Sequence, residues 1–253
     1  MAPPADVNFP AMLTLYQFAI SHFCEKARWA LAYKNLEYVK KNLLPGPHLA
    51  QTKRMGTDIS ATPILNHDGN LIQGSGHIIS HLDQHFPERP LTPVNPELKA
   101  QCLEWENYLD QEVGVQVRRY CYHYLLQYPS MVIPLYTQGG PWYGTLLYKL
   151  IFPKLRAKMR QAMKINETTA GQSKRRFEAA IERINNRLQG HVFLVGEQFT
   201  RADLTAAALF SPLVQPHQFG LRWPAEWPLE VSAEVQNILS ELDWVSKTYD
   251  QYR

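Results

Sequence analysis

The sequence predicts an α/β domain with the order β-α-β-α-β-β-α, followed by an all-helical bundle. Three observations carry this. Short apolar runs alternate with helix-period segments over the first 86 residues, a proline-dense stretch follows, and beyond it apolar residues recur at spacings of three and four.

Taken in order, "MLTLYQF" at 12–18 has the alternation of a strand, and "FCEKARWALAYKN" at 23–35 is helical with Ala27, Ala30 and Leu31 on one face. "LEYVKKNLL" at 36–44 is a second strand, and "HLAQTKRM" at 48–55 a short helix. "TPILNHDGNLIQ" at 62–73 is a hairpin whose Asp68-Gly69 pair supplies the positive φ angles of a tight turn. "SGHIISHLDQHF" at 75–86 is a third helix, expected to be capped by Ser75. This order predicts a mixed sheet with helices on both faces. "PERPLTPVNPE" places four prolines in eleven residues and cannot continue a helix, so the domain boundary falls there: 1–86, a linker at 87–95, and 96–253.

In the second domain Leu98, Cys102, Trp105, Leu109, Val113, Val117, Tyr120 and Tyr124 form one long stripe. Phe177, Ala180, Ile181, Ile184 and Leu188 repeat the pattern, "TRADLTAAALFSPLV" at 200–214 is apolar enough to be central, and 232–252 closes the bundle. The 129–164 segment is aromatic, basic and interrupted by prolines; it is expected to act as a lid rather than as a clean amphipathic helix.

Hydrophobic residues make up 45% and charged residues 19%, which excludes a disordered chain. A net charge of +3, without a dense basic stripe, argues against nucleic acid as a partner. Three scattered cysteines indicate no disulfide framework. The first residues lack the pattern of a secretory signal, and no run of about 18 apolar residues exists to span a membrane. These features lead to an expected cytoplasmic location.

The order of elements, together with three local motifs, resembles the cytosolic glutathione transferase superfamily. "ATPIL" at 61–65 is similar to the family's segment around a cis-proline, with Pro63 as that proline. Ser75 stands where the family opens a helix with serine, and "HVFLVGEQFTRADL" at 191–204 resembles the family motif in which Thr200 and Asp203 make a capping box. The start "S-x-x-C-E-K-x-R-W-A-L" at Ser21 is similar to serine-type members and to reductase-type relatives, which leaves the subclass open.

The resemblance implies a thioredoxin-like first domain that binds glutathione as co-substrate, with no other cofactor and no metal. It also implies a helical domain that holds a hydrophobic electrophile or ligand, and a homodimer. Ser21 would stabilise the thiolate. A thiol ionises near ~8.5, so a thiolate at neutral pH needs its pKa lowered by roughly two units, about 2.7 kcal/mol. A helix N-terminus and a hydroxyl donor can supply that; a plain helix cap explains Ser21 as well. Cys24 stands where dithiol relatives keep a second cysteine, either a redox group or a small buried hydrophobe.

For the tripeptide, the resemblance implies Ala61, Thr62 and Pro63 along its backbone, with Ser75 at the γ-glutamyl carboxylate. His48 would sit at the glycyl carboxylate, with Lys40, Lys41 and Lys53 as alternatives. Gly74 replaces the usual acidic or amide residue, so the ammonium group falls to Gln73 or to another subunit. Tyr16, Phe23, Tyr120 and Tyr124 are expected to line the electrophile pocket, near Arg118 and Arg119. His77, His81 and His85 share a helix, but their apolar neighbours take its buried side and leave them at solvent. Two rival readings remain: a non-catalytic protein that binds aromatic ligands, and a glutathione-dependent reductase working through Cys24.

Overall fold

The computed structural model describes residues 12–57, 59–227 and 229–253. The first domain contains β1 (Leu13–Gln17), α1 (His22–Tyr33), β2 (Val39–Asn42), α2 (His48–Met55), β3 (Ile64–His67), β4 (Asn70–Gln73) and α3 (Ser75–His85). Its four-stranded sheet has the order β2-β1-β3-β4. β1 runs parallel to β2, and the β1–β3 and β3–β4 pairs are antiparallel. This is the mixed thioredoxin-like sheet that the element order predicts. The β3–β4 turn rests on Asp68 (φ 50°) and Gly69 (φ 93°), the pair the sequence singles out.

The cap of α3 differs from expectation. Gly74, at φ 94°, is the N-cap, and Ser75 is the first helical residue. A positive φ there is a conformation open to glycine and strained for a side-chain residue.

No helix connects α3 to α4 (Pro96–Leu109). The connection is pinned nonetheless: Asp83 accepts from the N–H groups of Leu91 and Thr92, and the buried Lys34 donates to the carbonyl of Phe86. After α4 come a π-helical turn (Asp110–Gly114), α5 (Val115–Leu125), α6 (Pro129–Thr137), α7 (Gly144–Ala162), α8 (Glu167–Leu188), α9 (Arg201–Val214), α10 (Leu229–Leu239) and α11 (Asp243–Tyr252). The long stripe from Leu98 to Tyr124 is therefore two helices joined through one wide turn. The 129–164 segment is broken as expected between α6 and α7, around Gly139, Gly140 and Pro141, but α7 itself runs continuously through Pro153.

Helix α9 is the centre of the bundle. Its side chains are buried almost without exception, and Thr200 and Asp203 close its start as a capping box. Helix α1 lies between the sheet and the bundle, so Glu25, Lys26 and Arg28 are buried despite their charge. Arg253 donates to Glu25 at 2.8 Å, Arg28 pairs with the other oxygen at 2.6 Å, and the Trp29 indole donates to the Tyr252 carbonyl. Among the described residues no helix is long and apolar enough to cross a membrane.

Candidate functional site

Three chain breaks converge at the C-terminal edge of β1. The first is the start of α1, where Ser21 is the N-cap and its oxygen accepts from the Cys24 N–H at 3.2 Å. Because that bond uses the oxygen as acceptor, the hydroxyl proton remains available to a neighbour. The second is the Thr62–Pro63 bond, which is cis; the Pro63 carbonyl accepts from Gly74 at 2.9 Å. The third is the start of α3 at Ser75.

Two cavities open around these breaks. One of about 440 Å³ is lined by Ser21, Phe23 and His48 from the first domain and by Arg118, Cys121 and Tyr122 from α5. Leu155 and Met159 of α7, together with Trp223 and Trp227, close its far side. The other, about 510 Å³, is lined by Pro63, Gly74, Ser75, Gly76, Glu106 and Asp110. Phe23, Ala61, Thr62 and Arg118 border both, so the two meet beside the first turn of α1.

Most of the predicted site residues fall on these walls, and several do not. Cys24 is fully buried and lines neither cavity; its thiol points to the Thr62 hydroxyl at 3.6 Å. Gln73 also lines neither: its amide nitrogen donates to the carbonyls of Ile59 and Ala61, both at 2.7 Å, and so braces the loop ahead of the cis bond. Tyr16 faces away, because the buried alternation of β1 belongs to Leu13, Leu15 and Gln17, and Lys41 lies 5.7 Å from its ring centre. Tyr120 packs against Phe177 of α8 in the core, with Tyr124 beside it. Both tyrosines stay on the apolar stripe that runs from Leu98 through Val117 into the core, while the neighbouring 118, 121, 122, 125 face of α5 turns to the cavity.

Sequence reasoning also missed Glu106 and Asp110. Lys26 approaches Asp110 at 2.6 Å and Glu106 at 3.2 Å, and Arg201 approaches Glu106 at 2.6 Å. Arg201 further donates to the Gly76 carbonyl at 2.7 Å, to Ser80 and to Thr92. A buried lysine one turn into an amphipathic helix was the available signal, since such a charge requires a partner. Burial raises the Asp110 pKa, opposed by the adjacent Lys26 ammonium.

The electrostatics of the apolar cavity are set by burial. His22, whose Nε2 lies 3.0 Å from the Gly114 carbonyl, is pushed from 6.5 down to about 3 by burial, with Arg118 acting in the same direction. Burial also lowers His48, whose Nδ1 accepts from the Gly46 N–H. Both imidazoles are therefore neutral at neutral pH, and Arg118 is the one charged side chain among the described residues lining this cavity. Burial pushes the Cys121 thiol up to about 12.

Elsewhere His67, which the helix spacing did not include, approaches His81 at 2.8 Å. Among the described residues no group of three or more His, Cys, Asp or Glu is arranged to hold a metal ion.

Comparison with known proteins gives this geometry a family. Residues 15–90 match the glutathione S-transferase N-terminal domain, and residues 147–245 match the C-terminal domain. A probable glutathione S-transferase MSR-1 of Nicotiana plumbaginifolia is 31% identical over 108 residues, 42% of this chain and 49% of that protein. Glutathione S-transferase 1 of Dianthus caryophyllus is 33% identical over 90 residues, 35% of this chain and 41% of that protein. The chain thus spans about half the length of the curated relatives it matches, or less. Among solved structures, glutathione transferase F7 of Populus trichocarpa superposes with a TM-score of 0.64 at 15% identity, covering 95% of this chain and 94% of that one. The beta-etherase LigF of Sphingobium sp. strain SYK-6 does so at 0.63 and 19%, covering 95% and 99%, which supports a shared fold. With both domains of one family matched in order, and the fold shared along nearly the whole length, this chain belongs to the glutathione S-transferase family.

Proposed function

We propose that this protein conjugates glutathione to hydrophobic electrophiles, with Ser21 holding the sulfur as a thiolate. The observation that carries the proposal is the state of the Ser21 hydroxyl. It lines the 440 Å³ cavity near its junction with the other, accepts from the helix backbone and keeps its own proton for a third partner. A thiolate there receives that O–H and the positive end of α1.

In this reading the tripeptide occupies the 510 Å³ cavity, with its cysteinyl backbone along Thr62 and its γ-glutamyl carboxylate at the start of α3. Glu106 and Asp110 supply the negative charge for the ammonium that Gly74 cannot, and Gln73 holds the loop instead of the ligand. The thiol loses its proton to solvent, the thiolate attacks the electrophilic carbon in the 440 Å³ cavity, and any displaced group leaves with the bonding pair. The apolar wall excludes water from the sulfur, while Arg118 favours negative charge on the sulfur or on the departing group. The reductase reading fits less well, since Cys24 is sealed behind Thr62.

The test is an assay of purified protein with glutathione against aryl halides, isothiocyanates and mixed disulfides, alongside calorimetric titration with glutathione. Ser21→Ala should lower kcat/KM for conjugation by about a hundredfold, the usual effect of removing one donor to a developing anion. Cys24→Ser should leave it near wild type. Activity that disappears only with Cys24→Ser would establish the reductase, and ligand retention without glutathione affinity would establish the binding protein.

A further inference from the structure

Helix α7 has two contrasting faces. Tyr148, Phe152 and Met159 are buried on the inner one, and Leu155 and Met159 form part of the apolar cavity wall. The outer face is apolar too. Trp142, in the turn leading into the helix, is 91% exposed, followed by Tyr143 at 44%, Leu146 at 63% and Leu150 at 75%. Leu146, Leu150, Pro153 and Ala157 are all exposed and recur at spacings of four, three and four, which at about 100° per residue makes one continuous ridge.

Charge is arranged about that ridge. The same angular step puts Lys149 and Arg160 on one flank and Lys154 and Lys158 on the other, all exposed. Helix α7 has five cations, these four and Arg156, and no carboxylate; no Asp or Glu occurs anywhere in residues 113–166. An ordinary solvent-facing helix carries polar residues of both signs along its outer centre. An exposed apolar ridge with aromatic residues at one end and cations on both sides is the pattern of a helix lying in a lipid interface. A second copy of this chain suits the patch poorly, because a two-fold contact would set these cations against their own equivalents.

We infer that this outer face of α7 docks on an anionic bilayer surface. Trp142, Leu146 and Leu150 enter the boundary between headgroups and acyl chains, and the flanking lysines meet lipid phosphates and carboxylates. The opposite face of the same helix then holds the apolar cavity close to the pool where hydrophobic compounds partition.

The experiment is co-sedimentation of the purified chain with vesicles of phosphatidylcholine alone and of equal parts phosphatidylserine and phosphatidylcholine, at low and high salt. The serine-containing vesicles should bind at least about tenfold tighter, and salt should reverse it. Lys149→Gln and Lys154→Gln should each weaken binding about fivefold, and Trp142→Ala with Leu150→Ser about tenfold. These side chains point outward, so the variants should keep the wild-type melting temperature and the conjugating activity in solution. Equal binding to both vesicles, no binding to either, or variants indistinguishable from wild type would overturn the inference. A solution dimer that Trp142→Ala dissociates would overturn it as well, assigning the face to a second copy.

Discussion

Cys121 shows how little a thiol's position says about its reactivity. It lines the apolar cavity within the same shell as Ser21, yet burial holds its pKa near 12. The nucleophile is the thiolate, so at neutral pH iodoacetamide should leave Cys121 unmodified on mass mapping of the native protein and label it after unfolding. His22 carries a second consequence. Its folded pKa of about 3 lies below the unfolded 6.5, so the unfolded chain binds the extra proton in the interval between. Stability is then complete above about pH 6.5 and lost as pH falls toward about 3, by on the order of 5 kcal/mol in the limit. Asp203 acts in the opposite sense: burial raises it from 3.8 to about 6, so its contribution weakens stability as pH rises through that range. Denaturant melts across pH should show a shallower acid loss for His22→Asn than for wild type. Neither shift was legible in the sequence, because both arise from burial between elements distant in the chain.

Among the elements, the π-helical turn organises the site more than any regular helix. A methyl group on Gly114 would overlap the Phe23 ring, and the Gly114 carbonyl faces His22. Gly114→Ala should therefore force Phe23 aside, costing about 1–3 kcal/mol by denaturant melting and raising KM through a distorted cavity wall. The elements themselves were readable: the strand–helix order, the Asp-Gly hairpin and the Thr200–Asp203 box all follow from local patterns. The inserted residue in the long stripe was not, since π and α turns share side-chain chemistry and differ only in which face comes forward. Tyr120 and Tyr124 belong to the core stripe, and it is the adjoining face with Arg118, Cys121 and Tyr122 that reaches the cavity. The cap of α3 was misplaced for a related reason, since Ser75 looks like a cap until the φ of Gly74 is known.

Across the whole molecule, the two domains share one interior. Glu25 is satisfied from the same helix by Arg28 and from the far end of the bundle by Arg253. Arg253→Ala should leave that buried carboxylate short of a partner and lower stability by about 1–3 kcal/mol in denaturant melts, with little change in KM. The Lys26, Glu106, Asp110 and Arg201 cluster joins α1, the first half of α3, the interdomain connection, α4, the π-helical turn and α9. Calorimetry should accordingly record one cooperative transition, with no separate melting of residues 1–86. The same cluster limits how this protein could be recombined. A chimera taking its helical half from this chain keeps Arg201 beside Glu106 but imports Asp110 without the ammonium that faces it, and unless the other parent offers a cation in the place of Lys26, the seam would be electrostatically unbalanced from the outset.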